Sequence, residues 1–256
     1  MNLPVNTFKR AIQAGQQQIG LWCSLSSHVS VEVLANTGFD WLLIDTEHSP
    51  NELPMVHSQL QAAASGTAHP IVRPPWNDMV TIKRYLDIGA QTLLIPFIQT
   101  EEEARNAVSY TRYPPKGVRG YASTARASDY GRIKDYPSRY EEELCVLVQV
   151  ETPSAIENIE RIAAVDGIDG IFIGPGDLAA SMGHIGNYKH PDVQAAVESA
   201  IDRIKACGKP AGILVGDEAL AHHYARYGCT FTAVGSDVGL LARTAESLAA
   251  RFKASA

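Results

Sequence analysis

Eight short, mostly apolar runs recur along the chain, at residues 19–24, 39–45, 69–73, 92–96, 145–151, 171–177, 211–215 and 231–234. They lack the strict alternation of a sheet with one wet face, so each reads as a strand buried on both sides. Sequence compatible with helices separates them. A short helix is expected at 7–14, ahead of the first strand. Others are expected at 31–37, stopped by Gly38, at 53–64, at 78–88, closed by Gly89, and at 101–111, opened by a cluster of acids. Helical sequence fills the later gaps. Residues 113–140 read as a long irregular excursion, and a loop of that length is usually functional.

Strands that alternate with helices pair in parallel. Eight of them in 256 residues predict an α/β fold, a (β/α)8 TIM barrel forming one domain over 1–256. The rival is an open doubly wound sheet. Its dinucleotide-binding form has no support, because no GxGxxG follows an early strand.

Composition narrows the setting. A chain that is 45% hydrophobic with a net charge of -6 can bury a large core and carries no basic stripe, so nucleic acid and membrane surfaces are poor candidates for partners. No run of eighteen apolar residues and no signal-peptide pattern occur, and Cys23, Cys145, Cys207 and Cys229 form no CxxC pair. A reducing, cytoplasmic setting is the expectation.

In a barrel, chemistry sits at the C-terminal ends of the strands, and several candidate groups coincide there. Gln149 and Glu151 share one face of a strand that should be wholly apolar. The turn Gly174-Pro175-Gly176 leads into Asp177 and a helix, which presents free N–H groups and a carboxylate at the helix start. Glu151 and Asp177 repel one another unless a cation or proton sits between them; the alternative is a buried salt-bridge network. With oxygen ligands only, the pair predicts a hard divalent ion, Mg²⁺ or Mn²⁺, with Co²⁺ as a further candidate.

His48 follows Asp45-Thr46-Glu47 at a strand end, where neighbouring acids would raise its basicity toward proton transfer near neutral pH. His28, His57, His69, His184, His190, His222 and His223 read as loop or core histidines. Arg73 ends a strand, where a planar, permanently charged donor suits an oxyanion or carboxylate; ion pairing with Glu47 is the plainer reading. No lysine lies at a strand's C-terminal end, so a Schiff base has no candidate. Carbon–carbon bond chemistry here would need a metal instead.

The segments Gly38-Phe-Asp-Trp-Leu-Leu-Ile-Asp-Thr-Glu-His48, Val72-Arg-Pro74, Asp87-Ile-Gly-Ala-Gln-Thr-Leu-Leu-Ile-Pro96, Arg112-Tyr-Pro-Pro-Lys-Gly-Val-Arg-Gly120, Val148-Gln-Val-Glu151 and Gly170-Ile-Phe-Ile-Gly-Pro-Gly-Asp-Leu178 resemble, in order, the HpcH/HpaI family of class II pyruvate aldolases. The likeness runs from about Phe8 to Phe252. It implies metal-dependent cleavage of 4-hydroxy-2-oxo acids on a (β/α)8 barrel, within a homohexamer built as a trimer of dimers that exchange helices. Glu151 and Asp177 would then hold the metal, and Gln149 with the main chain at Gly176 and Asp177 would grip a pyruvate unit. Arg73 would stabilise the enolate oxygen. His48, made more basic by Asp87 of a neighbouring protomer, would move the 4-hydroxyl proton, and Trp22 and Leu214 would line the aldehyde side. The family often has Ala where Gly176 stands, a departure expected to loosen the carboxylate cradle while keeping its N–H donors.

The implied substrate is 4-hydroxy-2-oxoheptanedioate from aromatic catabolism, with 2-dehydro-3-deoxy sugar acids and hydroxypyruvate aldols as alternatives. Cleavage of acyl-CoA substrates, or a silent barrel that only binds 2-oxo acids, are the readings from other classes. A CoA-binding enzyme would want a basic groove, and a silent barrel would have lost one of the site residues.

Overall fold

The structure, a computed structural model, describes residues 2–254. Eight parallel strands close into a barrel: β1 (Gln18–Cys23), β2 (Trp41–Asp45), β3 (His69–Arg73), β4 (Thr92–Ile95), β5 (Cys145–Val150), β6 (Gly170–Ile173), β7 (Ala211–Leu214) and β8 (Phe231–Ser236). Each strand pairs with the next, and β8 returns to β1 through a register shift between Gly20 and Trp22. The early helices are α1 (Thr7–Gln13), α2 (His28–Leu34), α3 (Leu53–Ala63), α4 (Met79–Asp87), α5 (Glu101–Thr111) and α6 (Tyr136–Glu143). They are followed by α7 (Pro153–Glu157), α8 (Ile159–Ala163), α9 (Pro175–Ser181), α10 (Pro191–Ala206), α11 (Glu218–Tyr227) and α12 (Asp237–Lys253).

The alternation of side chains on each strand sorts the core into two shells. Trp22, Trp41, Leu43, Ile71, Leu94, Leu147, Phe172 and Phe231 pack within the barrel, and the opposite faces of the strands pack against the helices. Gly20 makes room for this aromatic filling, because a Cβ there would stand 2.1 Å from the Trp41 ring. At the N-terminal end of the barrel, α1 inserts Phe8 as a plug. Its ring stacks on His69, with centroids 5.8 Å apart, and meets Trp41 and Phe231 edge-on. Burying such a ring contributes about 2–3 kcal/mol.

Local chemistry explains most helix starts. Ser27, Asp78, Thr100, Asp217 and Ser236 each accept a main-chain N–H from the first turn, and Thr100 with Glu103 closes a full capping box. The Ser27 cap sets α2 at His28, three residues earlier than its apolar spacing predicts. The excursion at 113–140 is also more ordered than expected. It contains a 3-10 turn at Arg126–Ser128, and its end is already α6, which buries Tyr136, Tyr140 and Glu143. Two tyrosines and an acid on one face hide the helical period.

Candidate active site

At the C-terminal end of the barrel lies a cavity of about 450 Å³. It is lined by Trp22, His48, Arg73, Gln149, Phe172, Gly174, Gly176, Asp177, Tyr188 and Leu214, among others. Glu151 sits beside it and is only 2% exposed. Eight of the nine positions singled out from the sequence therefore meet here, on six different strands or the loops after them.

Arg73 is the fixed charge of the site. Its Nε and one terminal nitrogen donate to both carboxylate oxygens of Asp45, at 2.9 and 2.8 Å, and its other terminal nitrogen lies 2.8 Å from Glu47. The ion pair with Glu47 thus exists, but Asp45 holds the guanidinium bidentately and leaves it at the cavity wall, over the Trp22 ring at 5.3 Å. Asp45 also fastens the next loop: its carboxylate accepts Glu47 N–H at 3.0 Å, and its carbonyl accepts Asn51 Nδ2 at 2.6 Å. His48 follows at the rim, 65% exposed, with Nε2 3.8 Å from Glu47.

Glu151 lies just past β5. Phe97 N–H donates to one of its oxygens at 2.8 Å, and Gln149 Nε2 donates to the other at 2.5 Å. Phe97 follows Pro96 and has φ 55°, a left-handed backbone that a bulky residue adopts only where its surroundings enforce it. Gly174 leaves room for the acid, since a Cβ there would stand 2.6 Å from its carboxylate. Burial pushes the Glu151 carboxyl up to about 7. Donation from Gln149 opposes that rise, and the charges of Asp177 and Glu47 add to it. Glu47 is raised too, first by burial, with Arg73 working against the rise and Asp45 and Asp177 with it.

Gly174 caps α9, so Gly176 and Asp177 fall in that helix's first turn, with Asp177 favourably placed at its N-terminus. A methyl group at Gly176 would meet nothing within 4 Å, so the residue is not required by packing. Trp22 and Leu214 stand on the apolar side with Phe172, whose ring centroid is 5.5 Å from that of Trp22.

Asp87 is the exception. It ends α4, which runs away from the mouth, and it pairs with Arg119 at 2.9 Å at the other end of the barrel. Arg126 is there as well, donating to the Ile88 carbonyl at 2.8 Å. Arg132 pairs with Asp129 on the surface, so neither arginine reaches the cavity of its own chain. Phe97 and Tyr188 are site residues that the sequence does not mark, and Glu47 figures there only as a neighbour of His48 and Arg73. Nothing in the sequence marks a main-chain N–H such as that of Phe97.

The residues fit a hard divalent cation. Four carboxylates (Asp45, Glu47, Glu151 and Asp177) face a single guanidinium, and burial with mutual repulsion raises two of them. The side-chain amide oxygen of Gln149, Oε1, is buried without a hydrogen-bond partner. A cluster of oxygen donors with excess negative charge is what such an ion neutralises.

The sequence profile of the HpcH/HpaI aldolase/citrate lyase family matches residues 18–244. A pyruvate aldolase of Rhizobium etli is 55% identical over 98% of this chain and 99% of its own. A 4-hydroxy-2-oxo-heptane-1,7-dioate aldolase of Salmonella dublin is 58% identical over 97% of this chain and 95% of its own. Among solved structures, an HpcH/HpaI aldolase/citrate lyase family protein of Burkholderia cenocepacia superposes with a TM-score of 0.94 at 39% identity, covering 97% of this chain and all of that one. Fold, site and sequence agree: the chain belongs to the HpcH/HpaI aldolase/citrate lyase family of carbon–carbon lyases.

Proposed function

We propose that the protein is a metal-dependent aldolase that cleaves 4-hydroxy-2-oxo acids reversibly to pyruvate and an aldehyde, with 4-hydroxy-2-oxoheptanedioate as the leading substrate and succinic semialdehyde as the second product. The observation that carries this reading is the convergence of Arg73, Gln149 and the acid pair Glu151 and Asp177 on one cavity. The names of the Salmonella and Rhizobium relatives support the substrate class.

Glu151 and Asp177 would hold the divalent ion, Mg²⁺ or Mn²⁺ by its hardness. When bound, it supplies Lewis-acid polarisation of the 2-keto group. Gln149 and the N–H groups of Gly176 and Asp177 orient the pyruvate carboxylate at the start of α9. Arg73, rigid on Asp45, faces the negative charge that gathers on the keto oxygen as the bond breaks. His48 accepts the 4-hydroxyl proton. The C3–C4 bond then breaks, its electron pair passes into the pyruvate enolate, and the aldehyde leaves along the Trp22 and Leu214 wall.

Asp87 would act on His48 from a neighbouring protomer, since its own chain keeps it at the far end of the barrel. A homohexamer built as a trimer of dimers that exchange helices would suit α12, whose Val238, Leu240, Leu241, Leu248 and Phe252 are exposed.

Pyruvate release from racemic 4-hydroxy-2-oxoheptanedioate by metal-stripped protein, with and without added Mn²⁺ or Mg²⁺, tests the proposal. Release only with metal is expected. Release that survives stripping sinks the metal's role, and no release in either condition sinks the substrate.

A further inference from the structure

Beside the mouth, apart from its acids, the described residues hold a grouping with different donor chemistry. One nitrogen each from His184 and His190 and a carboxylate oxygen of Asp192 lie within 4.8 Å of one another. His184 and His190 stand on the segment that joins α9 to α10, and Asp192 in the first turn of α10.

The segment is folded back on itself by design of its backbone. Gly183 and Gly186 adopt φ 83° and 77°, left-handed conformations that let the chain reverse. His184 N–H donates to Ala179 O at 2.7 Å, Asn187 N–H to His184 O at 2.8 Å, and His190 N–H to Asn187 O at 3.0 Å. Two imidazoles six positions apart are thereby stacked, with centroids 3.6 Å apart and planes at 13°. Asp192 Oδ2 lies 3.8 Å from His184 Nε2 and 3.7 Å from His190 Nδ1.

In a tetrahedral zinc site, bonds of 2.0–2.1 Å place neighbouring ligand atoms about 3.4 Å apart. The two observed edges exceed that by a few tenths of an ångström. An ion on His190 Nδ1 displaces one long bond, from Asp192 N–H at 3.2 Å, and turns the rings out of their stack. Both imidazoles are partly exposed, so the ion has a way in.

Between the two histidines, Tyr188 lines the catalytic cavity, and Lys189 reaches across to Asp217 at 2.6 Å in the loop after β7. We propose that His184, His190 and Asp192 form a second metal site, for a borderline transition ion such as Zn²⁺, and that the bound ion clamps the turn carrying Tyr188 into the cavity wall. Imidazole donors select Zn²⁺, Ni²⁺ or Cu²⁺ over Mg²⁺, so the two sites sort ions by ligand type.

The test is a Zn²⁺ titration of the full-length enzyme in millimolar Mg²⁺, followed by calorimetry and by hydrogen exchange of residues 182–190. Wild type and Glu151→Gln should each bind Zn²⁺ at the loop. His184→Phe, which keeps a stacking ring but no nitrogen, and Asp192→Asn should each weaken that binding at least about tenfold, with circular dichroism unchanged. Zn²⁺ should slow exchange in the loop of the wild type and not of His184→Phe. Zn²⁺ binding that disappears in Glu151→Gln, or persists unchanged in His184→Phe, assigns the ion to the mouth and overturns the site. Absence of Zn²⁺ binding in the wild type does the same, and binding without slower exchange removes the clamp.

Discussion

Arg73 shows how one side chain sets the electrostatics of the site. Two hydrogen bonds to Asp45 and the contact with Glu47 leave it little freedom, so its charge is already in place when substrate arrives. His48, by contrast, stands at the open rim with no strong partner among the described residues. Replacing His48 with Ala should lower kcat by about a hundredfold or more while pyruvate still binds, because the loss of a general base falls mainly on the transition state. Steady-state kinetics with pyruvate as a product inhibitor reads both, and unchanged turnover would remove His48 from the mechanism. His69 is the contrasting histidine. It is buried against Phe8, its Nε2 lies 2.8 Å from Thr92 Oγ1, and burial pushes its pKa down from 6.5 to about 4. The folded state thus binds fewer protons than the unfolded chain between those values. Stability from this residue is full above about pH 6.5 and is lost as pH falls through 4, by up to about 3 kcal/mol. Glu151 works in the opposite sense, losing stability as pH rises from its unfolded value through about 7. Denaturant melts of wild type and His69→Asn at pH 4.5 and 7.5 separate the two: the variant should lose less stability at the acidic end, and equal losses would show that His69 contributes no acid sensitivity.

At the scale of elements, the strands and helices do different work. Strands carry the reacting groups only at their final residues, and the short helices after them supply caps and N-termini, as α9 does for Asp177. α12 stands apart. Of its residues only Asp237 is buried, and that carboxylate accepts N–H groups from Ser24 and Leu25, tying β8 to the loop after β1. The acid at the start of α12 is therefore a structural fastener. The exposed apolar residues of the same helix are not covered by other described residues. Changing Leu240 and Leu241 together to Lys should leave circular dichroism intact and shift the mass measured by light scattering toward smaller assemblies; an unchanged mass would detach α12 from assembly.

For the molecule as a whole, the barrel separates two ends. The mouth holds His48, and the opposite end holds Asp87 with Arg119, which is buried and packed between Tyr113 and Tyr140. A cavity of about 430 Å³ lies at that end, bordered by Leu3, Arg119 and Arg126. If that end of one protomer completes the mouth of another, His48→Ala and Asp87→Asn proteins, each impaired, should regain part of the activity when mixed and reassembled. No regain would leave Asp87 a partner of Arg119 alone.

The apolar runs and helix stops were enough to determine the eight strands and their parallel order, because strand length and hydrophobic period are local properties of the chain. Motif likeness then marked His48, Arg73, Gln149, Glu151 and Asp177, since side chains at strand ends are legible residue by residue. The start of α2 and the helix at Tyr136–Glu143 were misjudged, because a serine cap and a tyrosine-rich face speak more softly than apolar spacing. Only the tertiary structure decided that Asp45 rather than Glu47 takes Arg73 bidentately, and that the Phe97 N–H and the open space at Gly174 shape the seat of Glu151. It also decided that His184 and His190 meet. These contacts join residues from separate loops, or depend on backbone direction, and a linear pattern carries neither.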